Sequence, residues 1–182
     1  MDRGVTMIDH KLEHLVMRLK KGDMSVFDDI YEQTKTKVYY TILTVLKDAS
    51  LAEDIMQDTY LKMLEKIHQY KVQKSFSAWI TLIAKNLAIN EYHKRSKEVM
   101  MPEDAENYLL PKTNPQSENT YYLQELLKVL TPTEREIVIR HTILEEKHKT
   151  IAKALNKPLG TITWSYQNAL KKLRKEAHDD EE

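Results

Sequence analysis

The chain has 182 residues, with 28 basic and 28 acidic side chains and no cysteine. Three glycines and five prolines are few for a sheet protein with many turns, so we predict an all-α fold of one or two small domains. Without cysteine the chain forms neither disulfides nor a thiolate metal site, which fits a reducing cytoplasm. No apolar run is long enough to span a bilayer and no signal peptide opens the chain, so we expect a soluble cytoplasmic protein.

The charges balance overall but are separated along the chain. Every charged side chain from Lys147 to Lys175 is basic, eight in all, whereas acids gather near residues 53–58, 103–106 and 179–182. Basic and acidic segments that lie apart in the sequence indicate separate binding partners, not one uniformly charged surface.

Apolar periodicity predicts three helices in the first part of the chain. The first covers about residues 9–21 and ends at Gly22. The second begins with Ser25 as its cap, and Ser50 with Glu53 has the pattern of a capping box that opens the third.

Features of an enzyme or a metal site are lacking. His10 and His14 stand one helical turn apart, a spacing that suits zinc, but no third ligand accompanies them. The sequence has no Gly-rich phosphate loop and no identifiable nucleophile–base pair. We therefore predict no catalytic residue, no metal and no cofactor.

The outer face of the third helix combines acids with one large apolar side chain. Its members recur at helical spacing and are Asp54, Gln57, Asp58 and Leu61. A solvated face and a protein-docking surface explain this pattern equally well.

A polar loop at residues 69–74 precedes the next helix. It carries Tyr70, Lys71 and Lys74, with Phe76 just beyond. Aromatic rings between lysines can stack unpaired bases and hold their phosphates, or they can pack the loop onto the core.

The helix predicted over residues 75–97 is apolar in its first half and polar in its second. The polar half carries Asn86, Asn90, His93, Lys94, Arg95 and Lys97. Amide side chains suit base edges and cations suit phosphates, so this half can lie against nucleic acid. Taken alone, a solvated helix end is the simpler interpretation.

Residues 98–117 interrupt the periodicity with three prolines, several acids and small polar side chains. We predict a flexible linker there, between a first domain at residues 9–97 and a second at residues 118–176.

The second domain ends with a helix-turn-helix pattern. After a helix at residues 119–130, a capping box at residues 131–134 opens another. A short helix at residues 150–155, a turn at 156–159 and a longer helix at 160–175 complete the motif. Asn156 suits the left-handed geometry of the turn.

The final helix would enter a major groove by its N-terminal residues and face phosphates with its cations. The candidates for these contacts are Thr161, Thr163, Trp164, Gln167, Asn168, Lys171, Lys172, Arg174 and Lys175. For Trp164 we favour packing or a sugar contact over a base contact.

Taken together, five stretches in this order and spacing resemble the extracytoplasmic-function (ECF, group IV) sigma factors of bacterial RNA polymerase. The resemblance covers roughly Leu19 to Lys175. The stretches are GDMSVFDDIYEQ, LAEDIMQDTYLKMLEKI, FSAWITLIAKNLAINEYHKR, LTPTEREIV and TIAKALNKPLGTI with ALKKLRK.

The resemblance implies a promoter-specificity subunit with a region 2-like bundle and a region 4-like helix-turn-helix. The stripe from Asp54 to Leu61 would dock on core polymerase, and the final helix would read the minus-thirty-five element. An anti-sigma factor is implied as an inhibitory partner. The minus-ten contacts would be Tyr70, Lys71, Lys74, Asn86, Asn90, His93, Lys94 and Arg95. The alternative is a helix-turn-helix regulator, or an adaptor that binds polymerase without melting DNA.

The sequence departs from the family pattern at three places. Pro158 replaces the usual capping Ser or Thr, Asn90 stands where Asp is common, and the start of the final helix has few cations. These changes leave the promoter sequence unpredicted and weaken the expected electrostatic part of duplex binding.

Overall fold

The computed structural model describes residues 3–71, 75–96 and 127–179, with the backbone alone at 3–9, 96 and 178–179. These ranges are helical and contain no strand, which confirms the predicted all-α fold. The chain divides into two compact units, Met1–Met101 and Pro102–Glu182. Lys74, the predicted linker and most of the helix predicted at residues 119–130 lie outside the described residues. None of the described helices combines the length and apolar character needed to cross a membrane.

The first unit is a bundle. Its elements are α1 (Arg3–Lys20), a 3₁₀ turn (Met24–Val26), α2 (Phe27–Leu46), α3 (Ala49–Lys66), a second 3₁₀ turn (Ile67–Gln69) and α4 (Phe76–Ser96). Helices α2, α3 and α4 pack against one another, and α1 lies against α2 and α4. Apolar side chains spaced three and four residues apart face inward and form the core, which includes Val16, Ile30, Met63, Phe76 and Ile80.

Two aspartates, not the predicted serines, are N-caps in this unit: Asp23 caps the 3₁₀ turn before α2, and Asp48 caps α3. Asp23 Oδ1 accepts from the N–H of Ser25 at 3.1 Å, and Asp48 Oδ1 accepts from the N–H of Leu51 at 3.2 Å. The predictions that Ser25 and Ser50 act as caps are therefore wrong. In both cases an aspartate two residues upstream is the N-cap, and its negative charge also suits the helix dipole.

One carboxylate of α1 holds both ends of the segment between α3 and α4. Glu13 accepts from the Tyr70 hydroxyl and from the N–H of Phe76, each at 2.8 Å. Lys20 Nζ donates to the Tyr70 carbonyl at 2.6 Å. These bonds fix where α4 begins, and α4 carries the polar half predicted to meet nucleic acid.

The second unit contains the helix-turn-helix. From residue 131 to 179 its helices are α5 (Pro132–Thr142), α6 (His148–Ala154) and α7 (Leu159–Asp179). They enclose a core of Ile137, Ile151, Ala152 and Ile162, against which Leu155 and Tyr166 pack. Asn156 adopts the left-handed φ of 49° predicted for the turn between α6 and α7.

The predicted capping box opens α5. Thr131 Oγ1 accepts from the N–H of Glu134 at 3.3 Å, and a Glu134 carboxylate oxygen accepts from the N–H of Thr131 at 2.9 Å. The buried Arg135 guanidinium donates to the carbonyls of Leu127 and Leu130 at 3.0 and 3.1 Å. These bonds attach the segment before α5 to the helix-turn-helix.

Candidate nucleic-acid interface

The acidic stripe on α3 faces solvent. Its members, Asp54, Gln57, Asp58 and Leu61, are all exposed, while the opposite face of α3 is buried. Leu61 is 66% exposed beside two carboxylates. This exposure leaves Leu61 accessible to a partner, as the docking interpretation requires, but a solvated face would show the same exposure.

The polar half of α4 is also solvent-facing. Asn86, Asn90, His93, Lys94 and Arg95 are all exposed on a helix whose inner face is buried. Arg95 Nε lies 3.3 Å and Lys94 Nζ 3.9 Å from the Glu91 carboxylate. Such exposed ion pairs contribute little to the stability of the fold, so both cations remain available to a phosphate. The two amides and the two cations therefore occupy one accessible end of α4.

Tyr70 does not belong to this surface. It is 1% exposed, and its ring centroid lies 5.4 Å from that of Phe76 and 5.3 Å from that of Trp79. A ring enclosed in this way offers no face to a base, so the predicted base contact of Tyr70 is corrected to core packing. Lys71 is exposed beside it.

The N-terminal half of α7 presents the predicted groove-facing residues. Thr161, Thr163, Trp164 and Gln167 are all exposed. Trp164 is 68% exposed, so the packing role favoured for it is wrong. Indole rings are usually largely buried, so this exposure is an exception. An exposed Trp on this helix is instead available to a ligand.

Two of the predicted DNA contacts are held inside the unit by Glu134. Asn168 Nδ2 and Lys172 Nζ each donate to the Glu134 carboxylate at 2.7 Å. Burial raises the pKa of this carboxyl, but hydrogen bonds from Lys172, Thr131 and Asn168 outweigh that effect and lower the pKa to about 2. Glu134 therefore joins the start of α5 to α7. The sequence pattern predicted only the capping role of Glu134, not its contacts with α7.

Exposed cations lie on α6 and in the part of α7 that follows its uncharged start. Lys171, Arg174 and Lys175 are exposed further along α7, and exposed Lys149 and Lys153 lie on α6. In a helix-turn-helix the first helix crosses the DNA backbone while the second enters the groove. This arrangement of charge suits phosphates at the margins and base edges at the centre.

Three rings join α5, α6 and α7 behind this surface. The His141 centroid lies 4.4 Å from that of His148 and 4.6 Å from that of Tyr166. His148 Nε2 is buried without a hydrogen bond, and burial together with the nearby His141 lowers the pKa of His148. Within the described ranges no cluster of three His, Cys, Asp or Glu side chains could hold a metal ion. The three rings pack against one another.

Comparisons with known proteins find two matching family models and several similar chains. The family model Sigma-70 region 2 matches residues 30–98, and the model Sigma-70, region 4 matches residues 121–173. The ECF RNA polymerase sigma factor SigW of Bacillus subtilis is 27% identical over 180 residues, which cover 90% of this chain and 95% of that protein. SigM of the same organism is 35% identical over 77 residues, 42% of this chain and 47% of SigM.

Among solved structures, the chain is similar to the sigma factor RpoE in complex with the anti-sigma factor NepR from Bartonella quintana. The TM-score is 0.45 and the sequence identity 19%, and the match covers 82% of this chain and 94% of that chain.

Proposed function

This chain belongs to the extracytoplasmic-function sigma factors of the sigma-70 family, and we propose that it directs core RNA polymerase to promoters through the three surfaces described above. The observation that carries the proposal is that one chain holds, in order, a bundle with an exposed acidic stripe and a helix-turn-helix. A repressor needs the second feature but not the first. We also propose the family boundaries of residues 9–97 and 118–176 for the two domains.

Docking on the core enzyme would use the acidic stripe. Asp54 and Asp58 supply charge complementarity to a basic surface, while Leu61 supplies apolar area that becomes buried. Interfaces gain most of their binding energy from a few such central side chains. We therefore assign Leu61 the largest single contribution.

Strand capture would use the exposed end of α4. When the duplex opens, Asn86 and Asn90 can hydrogen-bond to unpaired base edges, while Lys94 and Arg95 hold the backbone. The chain performs no chemistry in this step. Binding of the separated strand offsets the free energy needed to unpair it.

Duplex reading would use α7, with its cations and those of α6 on the phosphates. The two DNA contacts lie on one chain, so the second contact forms at high effective concentration once the first exists. We further propose an anti-sigma protein as an inhibitory partner, on family membership alone. The site of action would be the cytoplasm, where core polymerase meets the chromosome.

Run-off transcription with purified core polymerase and fragments of the host genome tests the proposal. We expect discrete transcripts that form only when the chain is present. Tight core binding without transcripts would instead support an adaptor. Neither core binding nor transcripts would leave a helix-turn-helix regulator as the better account.

Removing the cations of α4 should impair melting while sparing docking. We expect Lys94→Ala with Arg95→Ala to reduce open-complex formation about tenfold, because two phosphate contacts to the single strand are lost. Permanganate reactivity of unpaired thymines measures the open complex, and core affinity is measured in parallel. The matched control is Lys11→Ala with Lys21→Ala, two exposed cations of the same unit. Equal loss in both double variants would contradict a specific role for α4.

A further inference from the structure

The groove-entering end of α7 is uncharged and partly apolar. No side chain from Leu159 to Leu170 carries a charge, and the first cation of the helix is Lys171. Leu159 is 49% exposed and Trp164 is 68% exposed, although both are large and apolar. Gly160 lies one turn before Trp164, and a Cβ there would meet nothing within 4 Å.

The cations of α7 lie too far along the helix to reach the bases at its start. At about 1.5 Å per residue, Lys171 is about 18 Å from Leu159 along the axis, whereas the major groove is about 12 Å wide. We expect Lys171 and the exposed lysines of α6 to contact the DNA backbone, as residues that flank the groove-reading part of a helix-turn-helix do. This charge pattern matches duplex DNA, with phosphates on both sides of an uncharged centre.

The chemistry of that centre favours one kind of base pair. Guanine is read in the major groove mainly by Arg or Lys, which donate to O6 and N7. Neither residue occurs in the first three turns of α7. Apolar carbons instead contact the C5-methyl group of thymine, and glutamine pairs with N6 and N7 of adenine.

We propose that this chain reads its upstream promoter element as A·T pairs, with Leu159 and Trp164 contacting thymine methyl groups and Gln167 contacting adenine. This inference rests on the proposed function, because it concerns the duplex that α7 reads within the holoenzyme.

Replacement of thymine by uracil tests the proposal, because it removes only the methyl group. Promoter fragments randomised upstream of the start site are first selected by transcription with holoenzyme, and we expect A·T pairs to be enriched. Uracil is then placed at each enriched thymine. We expect holoenzyme binding to weaken about fourfold for each contacted methyl, the value for one buried methyl-sized group. Uracil elsewhere in the upstream duplex should have no effect.

Two variants separate methyl contact from phosphate contact. In Trp164→Ala we expect thymine and uracil to bind equally at the position that Trp164 contacts, with an unchanged salt dependence. Lys171→Ala with Arg174→Ala should keep the methyl preference and reduce the slope of log affinity against log salt by about 2. Trp164 and both cations are exposed, so unfolding midpoints should match the wild type.

Several results would overturn the proposal. These are enrichment of guanine at the selected positions, equal binding to thymine and uracil in the wild type, and a methyl preference that survives unchanged at every enriched thymine in Trp164→Ala. Failure of the proposed function is distinguishable, because no promoter-specific transcript would then form with any template. If promoter-specific transcripts form equally well on thymine and uracil templates, only the methyl-contact inference is refuted and the proposed function stands.

Discussion

Replacing Glu134 with alanine is expected to lower the free energy of unfolding of the second unit by about 3 kcal/mol. The carboxylate is the shared acceptor for the N–H and hydroxyl of Thr131 and for Asn168 and Lys172. The change removes the half of the α5 capping box in which the Glu134 carboxylate accepts from Thr131, and it leaves the amide of Asn168 and the ammonium of Lys172 to solvent. Urea unfolding of the full chain, followed by amide signals of α5 and α7, measures the loss.

The stability supplied by Glu134 should also depend on pH. Because the folded-state pKa is lowered to about 2 from an ordinary 4.5, the unfolded chain binds the proton more readily. The contribution is fully present above about pH 4.5 and is lost as the pH falls toward 2. We expect Glu134→Gln to lack this acid-dependent loss while keeping the side-chain volume.

The matched control is Glu176→Ala on α7, whose side chain makes no hydrogen bond or ion pair in the described part of the chain. We expect its unfolding to stay within about 0.5 kcal/mol of the wild type. An equal effect of Glu134→Ala and Glu176→Ala would refute the role of Glu134 as the link between α5 and α7.

Helical periodicity carried most of the information about the fold. Side chains at spacings of three and four must share a face, so the sequence alone placed Leu61 outside α3 and Asn86 outside the core of α4. The capping box at Thr131 was equally visible, because both partners lie within one turn. Local patterns of this kind need no knowledge of the rest of the chain.

Contacts between distant residues were not visible in the same way. Glu134 and Lys172 are separated by 38 positions, and no periodicity connects them. Tyr70 suits a base or a core equally, and only the positions of Glu13, Phe76 and Trp79 around it decide for the core. Trp164 is the opposite case. Its large apolar ring suggested packing, but the ring is 68% exposed in the folded unit.

Leu61→Ala combined with Asp54→Ala is expected to weaken binding to core polymerase at least about a hundredfold, or ~3 kcal/mol. Leu61→Ala removes apolar area that would be buried at the centre of the interface. Asp54→Ala removes a negative charge that would pair with the partner. Both side chains are exposed in the free chain, so the free energy of unfolding should change by no more than about 0.5 kcal/mol. Titration of labelled chain with core polymerase measures the affinity.

The control pair is Met24→Ala with Asp28→Ala, which removes an exposed apolar side chain and an exposed acid elsewhere in the same unit. If exposure and charge alone governed binding, the two double variants would weaken it equally. If α3 carries a specific docking surface, only the double variant on α3 loses affinity for core polymerase. Unchanged affinity in the α3 variant would refute the docking assignment while leaving the DNA-binding surfaces untouched. Because α4 and α7 lie outside the changed face, promoter contacts should survive wherever residual holoenzyme forms.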